Sequence, residues 1–351
     1  MRTLSLCEAT AWFDALPVTR AGQHKPATLH PAYVQADAQR DPALRPVFAG
    51  FERHGERWLH GLHTTAISHT SNTSDTSGAP WRDASAPYGY AGGWASTDDV
   101  DFLSAAWQAH TAWLQAQGVV VEYLRFHPMT ANHRGYSGHV SPNRRVVWLD
   151  TQGDFAAQYA PRLRTALHKA ERSGLAVTAL AGAALSFATY HRAAMQAMGT
   201  SAFYVWPDAC FEALAAVPGA QVVVCHAENT NPADPTQWLA AALILNQPTL
   251  AEYHLAATVP AGRAMAASSY LLHRIAQQAQ AVGQDALYLG GGSSAAVDNS
   301  LLFFKSAFSS LQTDYLTGTQ VLNAEAYRAV QVAHPEAWAA HPERPIFHRL
   351  V

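Results

Sequence analysis

Twice along this chain a helical pattern is closed by a glycine and followed at once by a β-branched or aromatic strand pattern. In the first copy Arg57–Thr65 reads as a strand and Asp98–Gln117 as a helix. Thr97-Asp98-Asp99 supplies the cap, Gly118 the stop, and Val119–Phe126 the next strand. Phe102, Ala105, Ala106, Ala109, Trp113 and Leu114 recur at helical spacing. In the second copy Gln237–Leu245 and Glu252–Thr258 are strands, Ser268–Ala281 is a helix, Gly283 ends it, and Ala286–Leu289 is a strand. The two copies share this order without sharing sequence. The repetition predicts an α/β (α+β) fold of two lobes of one architecture, each a mixed β-sheet flanked by helices. The lobes are expected at residues 1–150 and 151–330, with the tail 330–351 packed on the first.

The stretches between extend the pattern. Pro46–Glu52 is a strand that turns at His54-Gly55 into Arg57–Thr65. Asp154–Ser173 reads as one helix ended by Gly174, Leu175–Leu180 as a strand, Ala184–Met198 and Asp208–Ala216 as helices, and Gln221–Ala227 as a strand. Ser68–Gly78 and Glu228–Thr236 are polar loops.

Composition narrows the class. Charged residues are 14% of the 351, against roughly 25% in an average domain, and the net charge is −3. No basic excess points to DNA, although net charge leaves room for a small basic patch around one RNA end. Cys7, Cys210 and Cys225 are odd in number and widely spaced, which fits neither a disulfide framework nor a zinc site. No run approaches the roughly 18 apolar residues of a membrane helix, and no apolar leader follows Met1, so a cytoplasmic protein is expected. HExxH, GxSxG and CxxC are absent from the sequence, and no metal site is expected. The 18 histidines are read as mostly surface or loop residues.

Two motifs carry chemistry. The last strand runs through Tyr288-Leu289 into Gly290-Gly291-Gly292, and a block Leu301-Leu302-Phe303-Phe304-Lys305-Ser306-Ala307-Phe308 follows. Upstream stand Pro87-Tyr88-Gly89-Tyr90-Ala91-Gly92-Gly93, Leu163-Arg164 through Lys169-Ala170, and Glu252-Tyr253-His254-Leu255. Together these segments, spanning about residues 85–330, resemble the FemAB branch of the GNAT acyltransferases. The resemblance implies two tandem GNAT-like lobes and transfer of an acyl or aminoacyl group to an amine. The donor it implies is aminoacyl-tRNA, entering by its acceptor end, or acyl-CoA in an N-acetyltransferase variant. The acceptor is the amine of a small molecule, sugar or peptide. A noncatalytic two-lobe binding protein is the reading from another class. No heptad run corresponds to the coiled-coil insertion of many cell-wall members.

By the same resemblance Lys305 is linked with acyl transfer, where a cation would neutralise charge on a tetrahedral intermediate or a leaving ribose oxygen. A lysine in an apolar run is costly to bury without a role or partner; its plain alternative is to snorkel at a helix edge. Tyr253 is a second catalytic candidate, as a donor of a hydrogen bond or proton. Arg263-Ala264-Met265-Ala266-Ala267-Ser268 stands where GNAT enzymes carry a glycine-rich loop that cradles a pyrophosphate on a helix N-terminus. Ala266 replaces a glycine there, leaving Arg263 and Ser268 as binding candidates. Tyr88, Tyr90, Tyr288, Gly290, Gly291, Gly292 and Phe304 complete the expected substrate-binding set. Asp83 and Glu252 are candidates for a general base by location alone. The His133–His139 stretch is a candidate anion-binding segment or a solvated loop.

Overall fold

A computed structural model of the chain describes residues 1–67, 80–200, 202–292 and 299–349, so the loop expected at Ser68–Gly78 lies outside the described residues. In chain order the early elements are β1 (Arg2–Leu4), α1 (Leu6–Ala15), β2 (Thr19–Arg20), β3 (Gln23–His24), α2 (Pro31–Asp37), β4 (Arg45–Arg53) and β5 (Glu56–Ala66). They continue with β6 (Arg82–Ser85), β7 (Trp94–Ala95), α3 (Val100–Ala116), β8 (Val119–Arg125), β9 (His139–Asp150), α4 (Pro161–Arg172), β10 (Leu175–Leu180), α5 (Ala184–Ala197) and α6 (Asp208–Ala215). The later elements are β11 (Ala220–Ala227), β12 (Ala240–Asn246), β13 (Leu250–Thr258), α7 (Pro260–Ala264), α8 (Ala267–Ala281) and β14 (Ala286–Gly291). The chain closes with α9 (Ser300–Lys305), β15 (Gln312–Val321), α10 (Ala324–Ala333) and α11 (Pro335–Ala340).

The chain divides into two compact units, Met1–Gln23 with Thr28–Asn143 and Tyr315–Val351, and His24–Ala27 with Arg144–Asp314. In the first, the strand order is β1-β4-β5-β6-β8-β15; in the second it is β9-β14-β13-β12-β11-β10. Each order holds one parallel pair, β6 with β8 and β13 with β14. A crossover helix, α3 or α8, lies between the two parallel strands in sequence, as a parallel connection requires. The repeated strand–helix–glycine–strand pattern is therefore the same supersecondary unit twice.

Local chemistry explains the well-placed elements. Asp99 caps α3 by accepting from the Phe102 N–H at 2.7 Å. His54 and Gly55 both take positive φ, 54° and 83°, the conformation of a tight hairpin turn between β4 and β5. In the second unit α8 and α4 cover a core that includes Val223, Cys225, Ala242, Ile244 and Leu287. Val222, Val224, Leu243 and Leu245 alternate with these and face the other way, and α5 and α6 pack on that side of the strands.

Three expectations need correction. The helix expected over Asp154–Ser173 is two elements, a short 3-10 turn at Phe155–Gln158 and α4, because Pro161 fits only a first helical turn. The strand expected to begin at Gln237 begins at Ala240, after a 3-10 turn that Asp234 caps through the Thr236 N–H. The histidines are not mostly exposed: His30, His60, His63, His110, His127, His191 and His226 are buried.

Candidate functional site

The pair β13 and β14 does not stay paired. It matches Leu250 with Ala286, Ala251 with Leu287 and Glu252 with Tyr288, and there the register stops. Yet β13 runs on to Thr258 and β14 to Gly291. Both strands are irregular where they part. Ile244 faces Tyr253 while Leu243 faces Leu255, so His254 is an extra residue in β13. On the other side Tyr288 faces Trp148 and Gly290 faces Val147, so Leu289 is skipped in β14. A bulge bends its strand and re-aims side chains, and two of them open a V between parallel neighbours. Past Glu252 and Tyr288, each strand has an edge not paired with the other.

Lys305 reaches the open part of β14. It ends α9, whose start is capped by Asn299 accepting from the Leu301 and Leu302 N–H groups at 3.1 Å each. Its Nζ donates to the Gly291 carbonyl at 2.9 Å. The side chain is buried, and burial pushes the ammonium down to about 7. Gly290 has φ +76°, and a Cβ there would stand 3.2 Å from Nζ. Gly292 faces Asn299, whose side chain lies 2.5 Å from where a Cβ would be. The glycine run therefore leaves room for the lysine and its cap. Gly290→Ala is expected to cost about 1–2 kcal/mol through left-handed strain alone and to lower activity by crowding Nζ; urea unfolding with paired rate measurements checks both. Phe304 packs edge-on to Phe308, with ring centroids 5.5 Å apart, and so anchors α9 to the core.

The segment after β13 keeps a backbone form that its residue types argue against. Ala266 sits at the start of α8 with φ 59° and ψ 30°, a left-handed conformation, and no side chain caps the helix there. The turn survives without glycine, at a steric cost of roughly 1–2 kcal/mol. Ala266→Gly is accordingly expected to raise stability by up to about 1 kcal/mol, after the entropy lost by glycine, as a higher urea midpoint with unchanged slope. Arg263 is exposed, on α7, and its guanidinium reaches the Thr258 carbonyl at 3.5 Å. The Ser268 and Thr258 hydroxyls share a hydrogen bond of 2.7 Å.

Tyr253 is partly buried on β13, and burial, with a smaller contribution from Tyr190, raises its phenol, which stays protonated at neutral pH. Tyr288 is buried on β14 where the V closes. Lys305, Tyr253, Tyr288, Gly290, Gly291, Gly292, Phe304, Arg263 and Ser268 all belong to the second unit.

Tyr88 and Tyr90 belong to the first unit, on a firmly held loop. Asp37 accepts from the Tyr88 N–H at 2.8 Å, and the Tyr33 hydroxyl donates to the Tyr88 carbonyl. Arg125 donates to the Pro87 carbonyl at 2.7 Å, and Asn132 to the Ala91 carbonyl at 2.9 Å. The Tyr90 ring meets His127 edge-on at 4.9 Å. The loop is thus rigid, as a binding loop needs to be.

Of the two base candidates, Asp83 is fully buried and held by His348 and Arg349. It is a structural carboxylate, not a free base. Glu252 is buried and accepts from the Ala27 N–H at 2.6 Å.

Sequence reasoning missed a buried polar network in the first unit. His110 Nε2 meets Glu122 at 2.7 Å, and the Tyr136 hydroxyl donates to the other Glu122 oxygen at 2.9 Å. His60 accepts from the Gly92 N–H at 3.3 Å, and burial holds its imidazole well below the usual range, with His110 adding to the effect. The alternation of His60 with Leu59 and of Glu122 with Val121 in strand patterns was the available signal. Among the described residues no group of three His, Cys, Asp or Glu side chains is placed to hold a metal ion, and no helix is long and apolar enough to cross a membrane.

No family profile and no curated protein matches the sequence. Solved structures do match in shape. FemX superposes with TM-score 0.63 at 12% identity, over 94% of this chain and 100% of its own. The C-terminal domain of an Agrobacterium fabrum protein described as a lysylphosphatidylglycerol synthetase gives 0.55 at 14% identity, over 93% and 96%. L-PGS from Bacillus licheniformis gives 0.50 at 12% identity, over 90% and 98%. This chain thus shares its fold with FemX and the Agrobacterium fabrum domain, a mixed α/β architecture with strands flanked by helices.

Proposed function

We propose that this chain is an acyltransferase that passes an acyl or aminoacyl group to an amine, with the reaction centred on the V between β13 and β14. The observation that carries the reading is Lys305: a buried amine at the open part of β14, its proton affinity brought to about 7. A group poised near neutral pH is suited to proton transfer. An acceptor amine attacks the carbonyl of an ester or thioester, a tetrahedral oxyanion forms, and its collapse expels an oxygen or sulfur atom. Protonated Lys305 gives its proton to that leaving atom, and the proton that the attacking amine sheds passes to water, from which Lys305 is reprotonated. The Tyr253 phenol, held protonated, offers a hydrogen bond to the oxyanion. Positioning supplies the rest of the acceleration.

Two donors fit this chemistry, an aminoacyl-tRNA ester and an acyl-CoA thioester. The left-handed Ala266 ahead of an uncapped α8 favours the thioester reading, because it keeps the backbone form of a phosphate-binding turn. The acceptor is an amine on a small molecule, a sugar or a peptide. Incubation with each donor and an amine panel, followed by mass spectrometry for N-acylated product, tests the reading. Product from either donor supports it. Binding without product from any donor points instead to a two-lobe binding protein.

A further inference from the structure

A cavity in the second unit has no part in the chemistry above. It encloses about 360 Å³, at the lower end of the roughly 300–1,000 Å³ usual for small-molecule sites. Its floor is aliphatic. Ile244 of β12 and Ile275 and Ala279 of α8 belong to the buried core, and Val282 stands exposed at the rim. Its polar lining is four carboxamides, Gln221, Asn246, Gln278 and Gln284. Among the described residues none that lines it is charged. Gln284 lies two residues before β14, whereas Lys305 meets β14 at Gly291, its far end. The strand's six residues, at about 3.3 Å each, set the two places roughly 20 Å apart.

The carboxamides are held in place. The Gly219 carbonyl accepts from the Asn246 backbone N–H at 3.0 Å and from its Nδ2 at 2.9 Å. Gly219, at φ +82°, permits that approach, since a Cβ there would overlap the Asn246 carbonyl oxygen. Gln278 Nε2 donates to Gln221 Oε1 at 3.0 Å. Gln284 is buried, and its Nε2 donates to Asn246 Oδ1 at 3.1 Å and to the Gln247 carbonyl at 2.9 Å. That uses both of its protons and leaves Oε1 buried with no partner. Turning the amide over would lose both bonds, so the unmade bond is the acceptor's. A buried acceptor without a donor is costly and calls for a partner.

The lining sets the chemistry of that partner. An anion would find no cation here and would lie at the C-terminal turn of α8, where the helix dipole repels it. An ammonium would find no carboxylate. A carboxamide both donates and accepts, as a hydroxyl does, and an aliphatic floor takes a C–H face. A neutral ring with hydroxyl groups along its edge meets both demands.

We propose that this cavity binds a neutral polyol ring, a cyclitol or uncharged saccharide, with one hydroxyl donating to Gln284 Oε1 and others exchanging hydrogen bonds with Gln221, Asn246 and Gln278. It is a second site, apart from the V, and stands whether or not the chain transfers acyl groups.

The test is saturation-transfer NMR on the full chain with myo-inositol, glucose and maltose as probes. None carries an amine, so none is an acceptor, and binding is read apart from turnover. At least one probe is expected to bind, with a Kd that a tenfold rise in salt leaves unchanged, because no charge is paired. The variant with Gln221→Ala and Gln278→Ala is expected to fold normally, since Gln278 is exposed and Gln221 partly so, and to bind at least tenfold more weakly. Gln284→Met removes the unpartnered acceptor and is expected to bind at least tenfold more weakly; its urea midpoint checks the fold, and the rim variant decides if it does not fold. No binding of any probe by the wild type, equal binding by the rim variant, or a Kd that weakens steeply with salt overturns the proposal.

Discussion

Lys305→Met is expected to cut turnover by about 10²–10³-fold while making the protein more stable at neutral pH. The opposite signs come from one cause. The Lys305 ammonium is buried, with the Gly291 carbonyl at 2.9 Å as its acceptor, and burial takes it from 10.5 to about 7. At about 1.4 kcal/mol per unit, that amounts to about 5 kcal/mol against the charged form in the fold. The sign follows from proton counting. Between about pH 7 and 10.5 the unfolded chain holds this proton and the folded chain does not, so stability rises with pH across that window. Below about pH 7 both states hold it, and the whole penalty is present. Methionine matches the length without the charge, so its advantage in urea should be largest near pH 6 and should shrink toward pH 10. Turnover reads the other half. If protonated Lys305 supplies the leaving atom's proton, kcat/KM of the wild type falls as pH rises through about 7, and the variant loses that limb. A rate that rises through the same window would make Lys305 a base instead.

The legible part of this protein was its repetition. Gly118 and Gly283 each end a helix before a strand, and each such strand closes a crossover with a parallel pair, although in the first copy the partner is β6, a strand the sequence did not signal, and not the expected Arg57–Thr65 strand. Caps such as Asp99 and turns such as His54-Gly55 act through neighbours in sequence, so sequence reports them. The first 44 residues and the β15 strand were missed because their partners are distant: β1 pairs with β4, and β15 with β8. The same holds for the candidate site. Lys305 was visible as a cation in an apolar run, whereas the V depends on a bulge at His254 and a skip at Leu289, which only strand pairing reveals. Ala266 shows the limit from the other direction. Its residue type argues against positive φ, yet the turn between α7 and α8 imposes it. Histidine was misread because exposure is the usual fate of a polar ring, and here His110 and His63 have buried carboxylates beside them.

Asp83→Asn is expected to destabilise the protein by about 3–5 kcal/mol, enough to threaten folding at 37 °C, without lowering the rate per folded molecule. Asp83 has no exposed surface. Its Oδ2 accepts from His348 Nε2 at 2.7 Å and from Arg349 Nε at 2.8 Å, and a second Arg349 nitrogen reaches Oδ1. Arg349 also donates to Thr65 Oγ1 at 2.7 Å and Ser85 Oγ at 3.2 Å. This one carboxylate therefore ties the C-terminal residues to β5 and β6. Burial alone would raise it, but Arg349 and His348 outweigh that and hold it below the usual carboxylate range. Its contribution is present above the unfolded value, near 3.8, and is lost as pH falls through the lower folded value. Asparagine keeps the shape but leaves the Arg349 guanidinium without a counter-charge. Adding Arg349→Met removes that charge, so the double variant should be less destabilised than the two single costs summed. Urea unfolding of the four proteins at pH 7 measures the coupling, and the same set at about pH 3 reads its decline. A normal midpoint with lost turnover in Asp83→Asn would instead return this residue to the role of general base.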